Sequence, residues 1–109
     1  MWILPVLVSI PPHISSHSQK LYNLKMFYLY LLKSFKDDKL YIGSTNNLRR
    51  RLLERNNGKI VSTKGRRPFS LRYYEAYAEE SDARKREHNL KKDGRVLEQL
   101  KRRISESLL

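Results

Sequence analysis

The stretch LYIGSTNNLRRRLL, at positions 40–53, contains a β-strand signal followed at once by a helix signal. Residues 40–44 combine aromatic and aliphatic side chains, as strands do, and Gly43 lets the backbone leave the strand or approach a ligand closely. Residues 45–47 are threonine and asparagine, which cap the first turn of a helix. We therefore expect a strand that leads into a helix over about residues 46–56.

The predicted helix has an apolar stripe formed by Leu48 and Leu52, which lie four residues apart. Arg51 borders this stripe and is expected to point toward the edge of the sheet. There it either stabilises the negative charge on a phosphorus under attack or is an ordinary surface arginine in a run of three. The remaining arginines of the helix are expected to face solvent or a phosphate backbone: Arg49, Arg50 and Arg55.

The rest of the chain supplies two more strands and two more helices. Residues 27–32 are aromatic and aliphatic, and the polar turn 36–39 joins them to residues 40–44 in an antiparallel hairpin. A third strand is predicted over residues 69–78, and amphipathic helices over residues 82–92 and 97–108. The order β-β-α-β-α-α predicts an α+β fold, with a small three-stranded antiparallel sheet flanked by helices.

The charge balance is strongly basic. The chain has 109 residues, with 23 Lys and Arg against 11 Asp and Glu, and a formal net charge of +12. Its length favours one domain, and its charge favours a polyanionic partner, with nucleic acid ahead of anionic lipid or ribosomal RNA. The absence of cysteine excludes disulfides and thiolate chemistry and fits a reducing compartment such as the cytoplasm.

The first 25 residues differ in composition from the rest. They contain no acidic residue, three of the four prolines and only two strong bases, Lys20 and Lys25. Their apolar run, residues 2–10, is too short to span a bilayer, and no membrane role is expected. We expect a disordered N-terminal extension over residues 1–25 and a folded domain over residues 26–109. The net positive charge therefore belongs to the folded domain.

Glu87 is the most informative carboxylate. Ala83, Glu87 and Leu90 follow four- and three-residue spacing, which places Glu87 in the apolar stripe of its helix. A buried carboxylate is costly unless it is paired, hydrogen-bonded or bound to a metal. The other interpretation is a solvated Glu87 that pairs with Arg84 or Lys91 on the same helix. Mg²⁺ often takes only one or two protein carboxylates and completes its shell with water and phosphate oxygens.

Phenols are the other candidate groups. Tyr28 and Tyr30 alternate onto one face of their strand, and Tyr41 can join them across the hairpin. A phenol is a poor base at its ordinary pKa of about 10 unless a neighbouring cation or a hydrogen bond assists it. Packing in the core is the other interpretation, and it is stronger for Tyr28, Tyr73 and Tyr77 than for Tyr30 and Tyr41.

With these residues the chain resembles the GIY-YIG nuclease superfamily, above all small stand-alone members similar to the N-terminal nuclease domain of the incision enzyme of bacterial excision repair. The likeness runs from about Met26 to Ile104. Tyr28-Leu29-Tyr30 stands where the first triplet belongs, and Tyr41-Ile42-Gly43 is the second triplet in full. The other matching motifs are Asn47-Leu48-x-x-Arg51-Leu52, Asn56-x-Gly58 with Thr63, Pro68-Phe69, and Ala83 to Lys91 with Arg86-Glu87 and Leu90-Lys91.

The resemblance implies metal-dependent hydrolysis of DNA phosphodiester bonds. It implies that Glu87 ligates one divalent cation, Mg²⁺ or Mn²⁺, and that Arg51 stabilises the transferring phosphate. Tyr41 would orient or deprotonate the attacking water, and Tyr30 would assist by hydrogen bonding. The residues expected to hold the substrate are Gly43, Thr45, Arg49, Arg50, Arg55, Asn56, Lys64, Arg66 and Arg67.

The chain departs from the family pattern at three places. Tyr28 replaces the glycine of the first triplet. Arg55 stands where a histidine often precedes the loop asparagine, which would weaken activity if that histidine transfers protons or positions water. Some relatives use a further asparagine near the C-terminus, and none can be assigned to that role in residues 92–109.

Three functions compete at this point. The first is a single-domain DNA endonuclease that is structure-selective or weakly selective, or that a partner protein directs to its target. The second is a non-catalytic basic domain that grips phosphates without sequence choice. The third is a basic protein-interaction or ribosome-associated module, for which the sequence offers no positive feature. The pathway (DNA repair, mobile-element biology or defence) and the oligomeric state stay open.

Overall fold

A computed structural model describes residues 25–109 of the chain. The predicted N-terminal extension, apart from Lys25, lies outside the described residues. In the described part no helix is both long enough and apolar enough to cross a membrane.

Three antiparallel strands form one open sheet, as predicted. They are β1 (Phe27–Ser34), β2 (Leu40–Thr45) and β3 (Phe69–Tyr77), and they lie in the order β2-β1-β3. The central strand β1 is paired on both edges and has the longest uninterrupted run of buried apolar side chains, because helices cover both faces of the sheet there. Strand β2 therefore has one free edge, and the candidate site lies around it.

The helices follow the predicted order with shifted boundaries. They are α1 (Leu48–Asn56), α2 (Val61–Lys64), α3 (Glu80–Lys92) and α4 (Gly94–Arg103), and a 3-10 turn (Ser105–Leu108) follows. The basic loop after α1 contains the short helix α2. Its four residues are too few to show a helical periodicity in the sequence. The predicted last helix begins three residues before its first leucine, because Asp93 caps it and accepts a hydrogen bond from the Arg95 amide at 2.9 Å. It ends at Arg103, before position 104.

The two faces of the sheet pack against different helices. Leu29 and Leu31 of β1 pack with Leu90 of α3 and Leu100 of α4. Side chains at the alternate positions of β1 face α1 instead, where Tyr30, Leu32 and Phe69 are buried with Tyr41, Leu48 and Leu52 around them. Sheet alternation thus assigns the phenols to the α1 face and Glu87, which α3 carries, to the other face. The two groups can approach each other only around the β2 edge.

Candidate active site

A cavity of about 200 Å³ lies at the end of the sheet where β2 leads into α1. Its walls come from four elements and from Asn46, which lies between β2 and α1. Strand β1 contributes Phe27, β2 contributes Ser44 and Thr45, α1 contributes Arg50 and Arg51, and α3 contributes Glu80, Ala83 and Arg84. Three arginines against one glutamate make the cavity polar and net basic, as a phosphate-binding cleft requires.

Glu87 lies next to this cavity and is held on both of its oxygens. The Ser44 hydroxyl donates to Oε1 at 2.6 Å, and the Lys91 ammonium donates to Oε2 at 2.6 Å. The side chain is 22% exposed. The pairing with Lys91 is the one expected of a surface glutamate, but the bond to Ser44 crosses to the sheet. Because Ser44 also lines the cavity, the Glu87 carboxylate is one hydrogen bond away from it.

The carboxylate of Glu87 is stabilised in its ionised form. Burial is the largest single influence and raises its pKa, but the hydrogen bonds from Lys91 and Ser44 together outweigh it. The pKa of Glu87 consequently lies below its ordinary value. An ionised carboxylate is the form that ligates a divalent cation.

The donor set around Glu87 fits a cation that is held by a single carboxylate. Within residues 25–109 no group of three or more His, Cys, Asp and Glu side chains converges on one point. Mg²⁺ accepts this arrangement, since it retains several waters and takes oxygens from a substrate phosphate. The Lys91 side chain is about half exposed, and its ammonium group is carried by a flexible aliphatic chain. The ammonium group could therefore move away from Oε2 of Glu87 if a metal ion bound there.

Arg51 is placed at the border of the α1 stripe, as predicted. Its guanidinium lines the cavity, its side chain is 34% exposed, and its Nη1 lies 3.4 Å from Oε1 of Glu54. Its Nε is buried without a hydrogen-bond partner in the described part of the chain. A buried donor without a partner is costly, and the exposed part of the Arg51 side chain is what a phosphate oxygen could contact.

The two phenols are joined by Arg55, and the expectation that Arg55 faces solvent is wrong. Arg55 is only 5% exposed. Its Nε and Nη2 donate to the Tyr30 hydroxyl at 3.2 and 3.1 Å, and Nη2 also donates to the Tyr41 hydroxyl at 2.9 Å. Nη1 donates to the hydroxyl of Thr63 at 3.0 Å. Position 55 lies three residues after Leu52 and seven after Leu48, so helical spacing places it on the apolar stripe, and only the charge of the arginine side chain suggested an outward orientation.

Gly43 explains how Tyr30 fits. The two residues face each other in the β1–β2 register, and a Cβ at position 43 would lie 2.5 Å from the Tyr30 hydroxyl oxygen. Only glycine leaves room for the ring. Tyr30 is 1% exposed, and burial raises the pKa of its phenol despite the neighbouring guanidinium of Arg55. Tyr30 is therefore a neutral hydrogen-bonding group at neutral pH.

The phenols and the carboxylate are linked around the β2 edge rather than inside one enclosed cavity. Lys91 makes the link: its ammonium pairs with Glu87 and lies 5.8 Å from the centre of the Tyr41 ring. The guanidinium carbon of Arg55 lies 4.1 Å from the same ring centre. Sequence reasoning missed Ser44 and gave Lys91 only as a surface partner. The available signal for Lys91 was its i+4 spacing from Glu87. The available signal for Ser44 was its place in β2, where it pairs with Leu29.

Two further expected substrate-binding residues, like Arg55, are held by contacts within the protein. The Asn56 amide donates to the Phe69 carbonyl at 3.0 Å and accepts from the Phe69 amide at 2.7 Å, which ties the end of α1 to the start of β3. Arg66 donates to Asp37 at 2.6 and 3.3 Å, and both side chains are about a third exposed. These contacts leave neither residue free to grip a phosphate without rearrangement.

Of the other expected substrate-binding residues, Gly43 is buried against the Tyr30 ring, and the rest line the cavity or face outward. Thr45 lines the cavity and accepts from the Asn47 amide at 3.1 Å, so it also shapes the start of α1. Arg50 donates to Asn46 at 2.8 Å. The following residues are exposed: Arg49, Arg50, Lys64 and Arg67.

Comparison with known proteins agrees with this geometry. The model of the GIY-YIG catalytic domain matches residues 26–104. A UPF0213 protein of Clostridium perfringens is 44% identical over 68 residues, which are 62% of this chain and 72% of that protein. A UPF0213 protein of Lactiplantibacillus plantarum is 39% identical over 76 residues, 67% of this chain and 74% of that protein. No solved structure matches the chain. Because the family model covers residues 26–104, well over half of the sequence, the chain belongs to the GIY-YIG family of nucleases.

Proposed function

We propose that the chain is a divalent-metal-dependent endonuclease that hydrolyses DNA phosphodiester bonds. The observation that carries this proposal is the position of Glu87, an ionised carboxylate hydrogen-bonded to a residue that lines the same basic cavity as Arg51. Glu80 also lines the cavity, where it pairs with Arg84 at 3.2 Å, whereas Glu87 is joined to the cavity wall through Ser44. A carboxylate beside a phosphate site repels the phosphate, and a bound cation would remove that repulsion.

The residues divide the chemistry among them. Glu87 would hold one Mg²⁺ or Mn²⁺ ion, which when bound supplies positive charge for the scissile phosphate and its leaving oxygen. Arg51 contacts the phosphate and stabilises the charge that develops as water attacks. Tyr41 orients the attacking water or takes its proton, and Tyr30 holds Tyr41 in place through their shared partner Arg55.

The exposed basic residues provide binding without sequence choice. Arg49, Lys64 and Arg67 face outward on α1 and on the loop that follows it. Such side chains contact phosphates and carry no base specificity. We therefore propose structure-selective or weakly selective cleavage, with targeting by a partner protein as the alternative for stricter selection.

The test is cleavage of supercoiled plasmid and of branched or flapped duplexes with Mg²⁺, with Mn²⁺ and with a chelator. We expect metal-dependent nicking that Glu87→Gln and Arg51→Ala abolish while DNA binding persists. Glu98→Gln and Arg95→Ala are the matched controls, since both side chains are exposed on α4 and neither lines the cavity.

Two outcomes would contradict the proposal. Cleavage that survives in Glu87→Gln would show that another group, or a contaminant, does the chemistry. Tight, salt-sensitive binding with no cleavage by the parent chain under any metal would identify a non-catalytic basic binding domain of the same fold.

A further inference from the structure

Arg55 stands out because it is a buried cation whose partners are all hydroxyl groups. Its guanidinium is 5% exposed and makes four hydrogen bonds to Tyr30, Tyr41 and Thr63. Within residues 25–109 it has no carboxylate in ion-pair contact. Burying an arginine without an anion is costly, and a fold that needs only packing at this position would be served by an apolar side chain.

The direction of these hydrogen bonds fixes the chemistry of the phenols. A guanidinium only donates, so the oxygens of Tyr30 and Tyr41 must accept. The proton of the Tyr41 hydroxyl is consequently turned away from Arg55. Because Arg55 also lies against the Tyr41 ring, at 4.1 Å from its centre, it fixes both the position of the ring and the direction of the O–H bond.

We propose that Arg55 is a positioning residue for hydrolysis, which holds Tyr41 so that its hydroxyl faces the attacking water. This proposal rests on the proposed nuclease function. It also reverses the expectation that an arginine at this position weakens activity. The planar guanidinium group donates to two phenols and to Thr63 at once. Neither an imidazole nor an ammonium group has donors placed to reach all three hydroxyls.

The role of Thr63 supports the assignment. Thr63 is fully buried in the short helix α2 and takes the remaining end of the Arg55 fork. The loop after α1 is thus folded back so that its threonine completes the set of acceptors. Thr63 orients Arg55 without touching either phenol, which makes it a useful control.

The test is a double-mutant cycle on DNA cleavage with Arg55→Met and Tyr41→Phe. If Arg55 acts through Tyr41, Arg55→Met lowers kcat by about 10²-fold, the size of effect expected when a catalytic group is misplaced, and leaves KM unchanged. In the Tyr41→Phe background the same change should lower kcat less than about 3-fold, because the hydroxyl that Arg55 positions is already gone. All rates are measured at a temperature where denaturation curves show the variant folded.

Equal losses of kcat in both backgrounds would overturn the proposal, and so would a rise in KM with kcat unchanged, which would indicate a DNA contact. Thr63→Val should lower stability but cost less kcat than Arg55→Met does. If Arg55→Met does not fold, Arg55→Lys decides: it keeps the charge, and its kcat must fall for the proposal to stand. Failure of the nuclease function itself would appear differently, as an absence of Glu87-dependent cleavage in the parent chain.

Discussion

Replacing Gly43 by alanine is the sharpest perturbation that the fold offers, because one methyl group would collide with a fixed ring. The new Cβ would lie 2.5 Å from the hydroxyl oxygen of Tyr30 and 2.6 Å from its Cζ. Carbon atoms in contact normally sit about 3.5–4.0 Å apart, so the ring must move by about 1 Å. Position 43 has no positive φ, and the cost is therefore steric.

The magnitude follows from what Tyr30 would lose. Overpacking a well-packed core costs about 1–3 kcal/mol. The two hydrogen bonds from Arg55 to Tyr30 are already 3.2 and 3.1 Å long and would break or lengthen, at about 1 kcal/mol each. We expect Gly43→Ala to lower the free energy of unfolding by about 3–5 kcal/mol in all. A displacement of this size near the phenols should also lower kcat by about 10²-fold.

The assay is urea unfolding followed by circular dichroism, combined with plasmid cleavage under conditions where each variant is folded. Gly94→Ala and Gly65→Ala are matched controls, since a Cβ at either position meets no atom within 4 Å. Gly94 is the first residue of α4, so its alanine variant should be about as stable as the parent or more stable. If Gly43→Ala unfolds at the same urea concentration as Gly94→Ala and cleaves DNA equally well, the packing of Tyr30 against Gly43 described above is incorrect.

Three further predictions concern stability, pH and metal. Asn56→Ala should lower the free energy of unfolding by about 1–3 kcal/mol in urea titrations, because it leaves a buried amide and carbonyl at the start of β3 without partners. Burial and a hydrogen bond to Glu75 raise the pKa of both Tyr73 and Tyr77 to about 12. The folded state thus retains protons that the unfolded chain loses at about pH 10, and stability should fall as the pH rises from there toward 12, with a shallower slope in Tyr73→Phe. Lys91→Met frees one oxygen of Glu87, and half-maximal cleavage should need less Mg²⁺ than in the parent chain; an unchanged requirement would mean that Lys91 does not compete with the metal.

Most of the fold could be predicted because local signals agreed with one another. Alternating apolar residues, a polar turn and asparagine caps identified the strands of the hairpin and α1 to within two residues. The short helix α2 could not be found, since four residues carry no periodicity. Helix α3 begins at Glu80, two residues before the predicted start, and its N-cap makes no side-chain hydrogen bond that a capping rule could recognise.

The sequence allowed the main residues of the candidate site to be named, but not the hydrogen bonds that join them. Glu87 and Arg51 were identified by their places at the apolar stripes of their helices. The arginine that joins the phenols was expected to face solvent or a phosphate backbone because it is charged, although its i+3 spacing from Leu52 places it on the apolar stripe of α1. Arg55 extends its guanidinium to three hydroxyls from two strands and the short helix α2, and such convergence depends on tertiary packing alone.

The loop between α1 and β3 combines anchored and free positions, which suggests how cleavage preference could be re-engineered. Asn56 joins the start of the loop to its end through its hydrogen bond with the Phe69 amide. Within the loop, the Thr63 hydroxyl accepts from Arg55, and the Arg66 carbonyl accepts from the Ser34 hydroxyl at 2.5 Å. Between these anchors lie outward-facing side chains that no strand depends on. On the proposed function, a library that varies only Lys64 and its exposed neighbours would change the DNA preference and leave the contacts of Asn56, Thr63 and Arg66 as they are.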